Sequence, residues 1–228
     1  MIEFVFLDMD DTILDFHKAE AVALAKTLRA FGVEPTEEVV QRYSEINALQ
    51  WQRLERGELT RAQVKLYRFR YLFEELGVSV DAESVRVMYE EVLSHGHYYM
   101  EGAEALLSEL HGKYKLYIAS NGTTAVQKGR IESAGFAPLF DGIFLSEEIG
   151  YVKPQKEFFD ACFATIPEFD PSRAIILGDS LTSDVQGGNN AGILSCWFNP
   201  KGKENRTDVV PSFEVRTLDA FSQLLTTL

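Results

Sequence analysis

Asp8 and Asp10 stand two residues apart, where the apolar run Glu3-Phe4-Val5-Phe6-Leu7 gives way to Asp8-Met9-Asp10-Asp11-Thr12. On an extended backbone alternate side chains share a side, so both carboxylates can serve one site. Further along, Lys115-Leu116-Tyr117-Ile118-Ala119 ends in Ser120-Asn121-Gly122, and a later segment carries Lys153-Pro154. The run Ala174-Ile175-Ile176-Leu177 ends in Gly178-Asp179-Ser180, with Asp184 just beyond. Carboxylates about 4 Å apart repel by roughly 4 kcal/mol at an effective dielectric near 20. Several of them at one edge therefore need a cation or protonation to coexist. Oxygen ligands without nearby His or Cys favour Mg²⁺ over zinc. Because Mg²⁺ prefers one or two carboxylates together with phosphate oxygens, the donor set points to a phosphate substrate.

Within such a site one aspartate of the Asp8–Asp10 pair can act as nucleophile and the other as proton donor, if their surroundings separate their acidities. Lys153 would offset charge on the nucleophile and on the transferring group. The Ser120 hydroxyl and the backbone N–H of Asn121 could hold phosphoryl oxygens.

These residues converge only if the segments are neighbouring strands. Each is a continuous apolar run, and they alternate with helical patterns at 124–134, 155–165 and 183–191 and with strands at 142–145 and 194–198. That alternation predicts a parallel sheet covered on both faces, which binds ligands beyond the carboxyl ends of its strands. Between the first strand and the rest, residues 16–94 read as all-helical. Thr36 and Thr60 stand at N-capping positions, and Gly32 and Gly77 mark C-terminal stops. The expected architecture is α/β: a doubly wound parallel sheet built from residues 1–15 and 95–228, with an inserted helical domain over 16–94.

Composition narrows the partners. The chain has 228 residues, 46% hydrophobic and 25% charged, ordinary for a globular protein. Its 22 Lys and Arg against 35 Asp and Glu leave a net charge of −13, which repels polyanions. A nucleic-acid polymer or an anionic membrane is therefore not an expected partner; a small anion would bind only where a metal or a placed Lys reverses the field. No apolar stretch approaches the roughly 20 residues of a membrane span. Cys162 and Cys196 make no disulfide framework and are expected to be buried, in a reducing cytoplasmic setting. Oligomeric state is not legible.

The order of these motifs resembles the haloacid dehalogenase (HAD) superfamily of phosphotransferases. Its Asp-x-Asp-x-Thr motif matches Asp8, Asp10 and Thr12, its Ser at a strand end Ser120, its Lys Lys153, and its Gly-Asp-x-x-x-x-Asp motif Gly178, Asp179 and Asp184. The helical insertion is similar to that family's mobile cap of the first type. The resemblance implies that Asp8 attacks phosphorus to form an aspartyl-phosphate, while Asp10 protonates the leaving oxygen and then activates water. It also implies Mg²⁺ held by Asp8, the Asp10 carbonyl, Asp179 and Asp184. Family dehalogenases lack an acid at the position of Asp10, which argues for phosphoryl transfer.

More narrowly, Ser120-Asn121-Gly122 with Gln127 and Arg130, Ser146-Glu147, Lys153-Pro154, the 178–184 segment and Cys196-Trp197-Phe198-Asn199-Pro200 resemble the bacterial pyrimidine 5′-nucleotidases of the superfamily. That resemblance implies a nucleoside 5′-monophosphate as substrate, with Asn121 and Thr12 as substrate contacts. A sugar-phosphate or phosphoglycolate phosphatase, or a mutase, is the alternative within the superfamily. A non-enzymatic phospho-acceptor module is the alternative outside it. Hinges are expected near Asp15-Phe16 and over 95–101. Phe16, Trp51 and Tyr67 are candidates to pack on a base, while Arg53, Arg56, Arg68 and Arg70 read mainly as a solvated helix face. His95 and His97 lack partners at zinc spacing and read as hinge or surface.

Overall fold

The computed structural model describes all residues, 1–228. Strand β1 (Phe4–Leu7) is followed by four helices, α1 (Phe16–Ala30), α2 (Glu37–Glu55), α3 (Arg61–Leu76) and α4 (Ala82–Leu93). The chain continues through α5 (Ala103–Leu110), β2 (Lys115–Ser120), α6 (Thr124–Ala134), β3 (Gly142–Leu145), the short α7 (Ser146–Ile149) and α8 (Lys156–Phe163). It ends with β4 (Ala174–Gly178), α9 (Gln186–Ala191), β5 (Leu194–Phe198), β6 (Phe213–Val215) and α10 (Leu218–Leu225).

The six strands form one parallel sheet in the order β3-β2-β1-β4-β5-β6. Alternation along β1 feeds two cores. Val5 and Leu7 pack with Ile118, Leu177 and helices α5 and α10 on one face. Phe4 and Phe6 pack with Tyr117, Ile176 and the α8 residues Phe158 and Phe159 on the other. Leu7 lies beside Ile118 of β2 and beside Leu177 of β4. Asp8, Ser120 and Asp179 therefore emerge at one edge, where the strand order reverses about β1.

The helices between Phe16 and Leu93 bury their own core, with Leu24, Tyr43, Phe69, Leu72 and Tyr89 at its centre. Local sequence sets their ends. Thr36 accepts from the Val39 N–H at 3.3 Å, Asp81 accepts from the Ser84 N–H at 3.0 Å, and Thr60 forms a capping box with Gln63. The two linkers to the sheet unit run side by side: Leu14 bridges Tyr99, and the Asp15 N–H donates to the Tyr98 carbonyl at 2.7 Å. No helix is long and apolar enough to cross a membrane.

Four elements have no counterpart in the sequence reading: α5, α7, β6 and α10. The predicted helix at 183–191 is a π-helical turn over Leu181–Val185 running into α9.

Candidate active site

A cavity of about 440 Å³ lies between the sheet edge and the helical unit. Asp8, Asp10, Ser120, Asn121, Lys153, Asp179 and Asp184 line its floor; Phe16, Glu20, Asn47, Trp51, Glu55 and Arg68 line the opposite side.

Lys153 organises the floor. Its buried ammonium donates to Asp8 Oδ1, Asp184 Oδ1 and the Ala119 carbonyl, each at 2.6 Å. Burial opposes the Lys153 charge, but Asp184 and Asp8 outweigh it and raise its pKa. The Asn121 side chain fixes the Lys153 backbone from both sides, donating to its carbonyl at 2.9 Å and accepting from its N–H at 2.9 Å. The loop after β2 thereby sets the position of a lysine from the loop between α7 and α8. Gly178 is required here by close approach: a Cβ on it would lie 2.2 Å from the Asp184 carboxyl carbon. Asp184 Oδ2 accepts from the Ser180 N–H at 3.1 Å, so both its oxygens are held.

Oxygens of Asp8, Asp179 and Asp184 lie within 4.8 Å of one another. Burial pushes the Asp8 carboxyl well above its usual range; Lys153 pulls the other way, while Asp184 and Asp10 add to the rise. Burial likewise raises Asp179, with Asp184 and Asp8 contributing. One lysine does not neutralise this cluster. Its all-oxygen donor set and its excess of negative charge fit a hard divalent cation.

Asp10 faces a different set of groups. Its Oδ2 accepts from Gln127 Nε2 at 2.8 Å, and its Oδ1 pairs with the buried Arg130 guanidinium. Gln127 Nε2 also donates to Ser120 Oγ at 2.8 Å, and the Gly122 N–H donates to the same oxygen at 3.1 Å. With its oxygen accepting twice, the Ser120 hydroxyl keeps its own proton to donate. Asp11 adopts a left-handed backbone (φ 54°) and accepts from the N–H groups of Phe16 and His17, which fixes the start of α1.

The structure thus brings together Asp8, Asp10, Ser120, Asn121, Lys153, Asp179 and Asp184. Thr12 is placed elsewhere. It is wholly buried, does not line the cavity, and its hydroxyl has no partner, so its expected substrate contact is not met. Phe16 and Trp51 reach the cavity, but Tyr67 does not. Arg68 is not on a solvated face: it is buried and donates to Asn47 Oδ1 at 3.1 Å. Arg53 and Arg56 pair with Glu58 outside the cavity, as a solvated face requires. His97 Nδ1 contacts Ser133 Oγ at 2.7 Å in the linker.

Roles for Gln127, Arg130, Arg61, Asn47 and Glu20 escaped the sequence reading. One signal was available: Gln127 and Arg130 are polar residues spaced i, i+3 on the buried face of α6, beside Val126 and Ile131.

The sequence model of the haloacid dehalogenase-like hydrolases matches residues 2–192. The chain belongs to that family. HAD-hydrolase YfnB of Bacillus subtilis is 38% identical over 97% of this chain and 94% of its own length. The pyrimidine 5′-nucleotidases PynA of Streptococcus pneumoniae and YjjG of Escherichia coli are 36% and 31% identical. They align over 93% and 98% of this chain and over 90% and 97% of their own lengths. The crystal structure of YfnB, bound to magnesium and described as revealing interdomain movement, superposes with a TM-score of 0.94 over 98% of both chains. The match to YfnB over nearly the whole chain takes in the six-stranded parallel sheet and the helices that flank it here.

Proposed function

We propose that the protein is a Mg²⁺-dependent phosphomonoesterase that hydrolyses pyrimidine nucleoside 5′-monophosphates through an aspartyl-phosphate on Asp8. The observation that carries this reading is the Lys153 ammonium shared at 2.6 Å between Asp8 and Asp184, at the edge of the Asp8–Asp179–Asp184 cluster. Asp8, the Asp10 backbone carbonyl, Asp179 and Asp184 would hold the ion. When bound, Mg²⁺ offsets the charge of the carboxylates and of the transferring phosphoryl group.

The chain's own residues then divide the work. Asp8 attacks phosphorus as the bond to the ester oxygen breaks, and Lys153 keeps the attacking carboxylate in place. Asp10 delivers its proton to the departing oxygen. It then takes a proton from the water that attacks phosphorus, releasing inorganic phosphate and restoring Asp8. The free Ser120 proton and the Asn121 N–H hold phosphoryl oxygens as charge builds on them.

The leaving group would occupy the part of the cavity on the helical side, lined by the aromatic Phe16 and Trp51 and the polar Asn47 and Arg68. Residues 16–94 act in this reading as a cap that closes over the substrate and excludes water. The interdomain movement described for YfnB supports a mobile cap, and its magnesium supports the choice of ion. The activities of PynA and YjjG support the pyrimidine preference. Membership of a hydrolase family weighs against a non-enzymatic phospho-acceptor.

Phosphate release from UMP, dUMP, dTMP, AMP, a hexose phosphate and phosphoglycolate, with Mg²⁺ and with EDTA, tests the reading. Pyrimidine nucleotides should be fastest and EDTA should stop turnover. Equal rates on the hexose phosphate and UMP would remove the nucleotidase assignment.

A further inference from the structure

Arg130 belongs to none of the motifs that supply the chemistry, yet it is the largest fully buried side chain in the molecule. A guanidinium out of water is costly, the more so here because Nη2 has no partner, and the groups that Nε and Nη1 do meet show what it is for. Nη1 pairs with Asp10 Oδ1, and Nε donates to the Gly96 carbonyl at 2.8 Å. Nη1 also donates to Gln127 Oε1 at 3.1 Å, and the Phe16 ring lies over the guanidinium, 5.6 Å from its carbon.

Phe16 opens the helical unit and Gly96 lies in the linker that leaves it. One side chain from the sheet unit therefore touches both crossings and the carboxylate of Asp10. A second set of contacts fixes the same helix face to the same linker. A Cβ on Gly129 would lie 2.8 Å from Ser94 Cβ, and Ser133 Oγ contacts His97 Nδ1 at 2.7 Å.

We propose that Arg130 is a positioning residue that ties the orientation of Asp10 to the seating of the cap linkers. The inference rests on Asp10 being the proton donor to the leaving group. With the linkers seated, Nη1 of Arg130 and the amide of Gln127 take one carboxyl oxygen each and fix the plane of Asp10 beside Ser120. If the linkers shift, Gly96 and Phe16 leave the guanidinium and that orientation is no longer imposed. The proton still moves from Asp10 to the ester oxygen as the phosphorus–oxygen bond breaks; Arg130 acts only through where Asp10 points.

The test exploits leaving-group dependence. A nucleoside alkoxide needs a proton as it departs, whereas nitrophenolate is stable as an anion. The ratio kcat/KM covers formation of the aspartyl-phosphate and not its breakdown. Arg130→Met should lower kcat/KM for UMP about a hundredfold while p-nitrophenyl phosphate falls by less than about fivefold. Arg130→Lys keeps the charge but not the fork and cannot reach Asp10 and Gly96 together. It should show the same selectivity at about tenfold on UMP, so the test holds even if the Met variant does not fold. Hydrogen exchange across residues 94–99 should quicken in either variant.

Asp10→Asn, measured in parallel, separates the two readings. If it loses UMP turnover selectively and neither Arg130 variant does, the positioning role is overturned and the proposed chemistry stands. If Asp10→Asn is itself unselective, the acid assignment fails and this inference falls with it. An equal loss on both substrates in Arg130→Lys, or unchanged exchange over 94–99, also overturns the positioning role.

Discussion

The Arg61 guanidinium of α3 donates to the Asn121 carbonyl at 2.5 Å, joining the helical unit to the loop that fixes Lys153. The same side chain donates to Ser146 Oγ at 2.5 Å and lies 3.4 Å from Glu147. Charge-assisted hydrogen bonds contribute about 1.5–3 kcal/mol each. Arg61→Ala should therefore raise KM for a nucleoside monophosphate by roughly tenfold or more, with a smaller change in kcat. Steady-state kinetics decides it; an unchanged KM means that Arg61 does not hold the two units together over substrate.

Asp8→Asn keeps the volume of the side chain and removes its charge from a buried, negatively charged cluster. Turnover should fall by at least about a thousandfold. The unfolding midpoint in EDTA should not fall below the parent's, because burial already disfavours the Asp8 anion. Stopped turnover with a lost fold would leave the nucleophile unproven, so circular dichroism accompanies the assay. Turnover near the parent's would place the nucleophile elsewhere.

Divalent ion and pH should act on stability together. Asp8 and Asp179 have folded pKa values raised above those of the unfolded chain. The folded form then holds protons that the unfolded form has released, so without metal, stability falls as pH rises from the ordinary carboxylate range through the raised values. Mg²⁺ competes with those protons and binds more tightly as they leave. At about a hundred times its Kd the ion adds about 2.7 kcal/mol. The gain in melting temperature on adding Mg²⁺ should be larger at about pH 8 than at about pH 5.5. An equal gain at both would mean that the ion does not bind at these carboxylates.

Glu55 reports on the same edge from the helical side. Burial raises its pKa to about 7, Thr182 donates to it at 3.1 Å, and Asp184 adds to the rise, while Lys153 and Arg56 oppose it. A raised acid destabilises the fold increasingly as pH climbs from its unfolded value to its folded one. Glu55→Gln should therefore stabilise the metal-free protein at about pH 8 by of order 1–3 kcal/mol and have little effect at about pH 4.5. Chemical denaturation at the two values measures this; a gain that ignores pH would exclude Glu55 as its source.

How much of this was legible in the sequence follows from how far each signal travels along the chain. Strands β1, β2 and β4 are continuous apolar runs ending in charged or polar residues, so both their existence and their chemistry could be read locally. Helices α2 and α3 carry their own caps. By contrast β6 has three residues and α7 four, too short for either period to show, and α5 starts after Gly102 with no capping side chain to announce it. Arg130 reaches Asp10 across 120 residues and Arg61 reaches Asn121 across 60, and no local pattern announces either pairing. Thr12 shows the converse: it fits a motif, yet its side chain turns into the core.

The adjacency of Leu14 and Tyr99 has a further consequence. A segment whose entry and exit touch can be lifted out and another spliced in without moving the strands on either side. The groups assigned to bond breaking all belong to the sheet unit, so a chimera with a relative's residues 16–94 should inherit that relative's choice of substrate while keeping its own machinery.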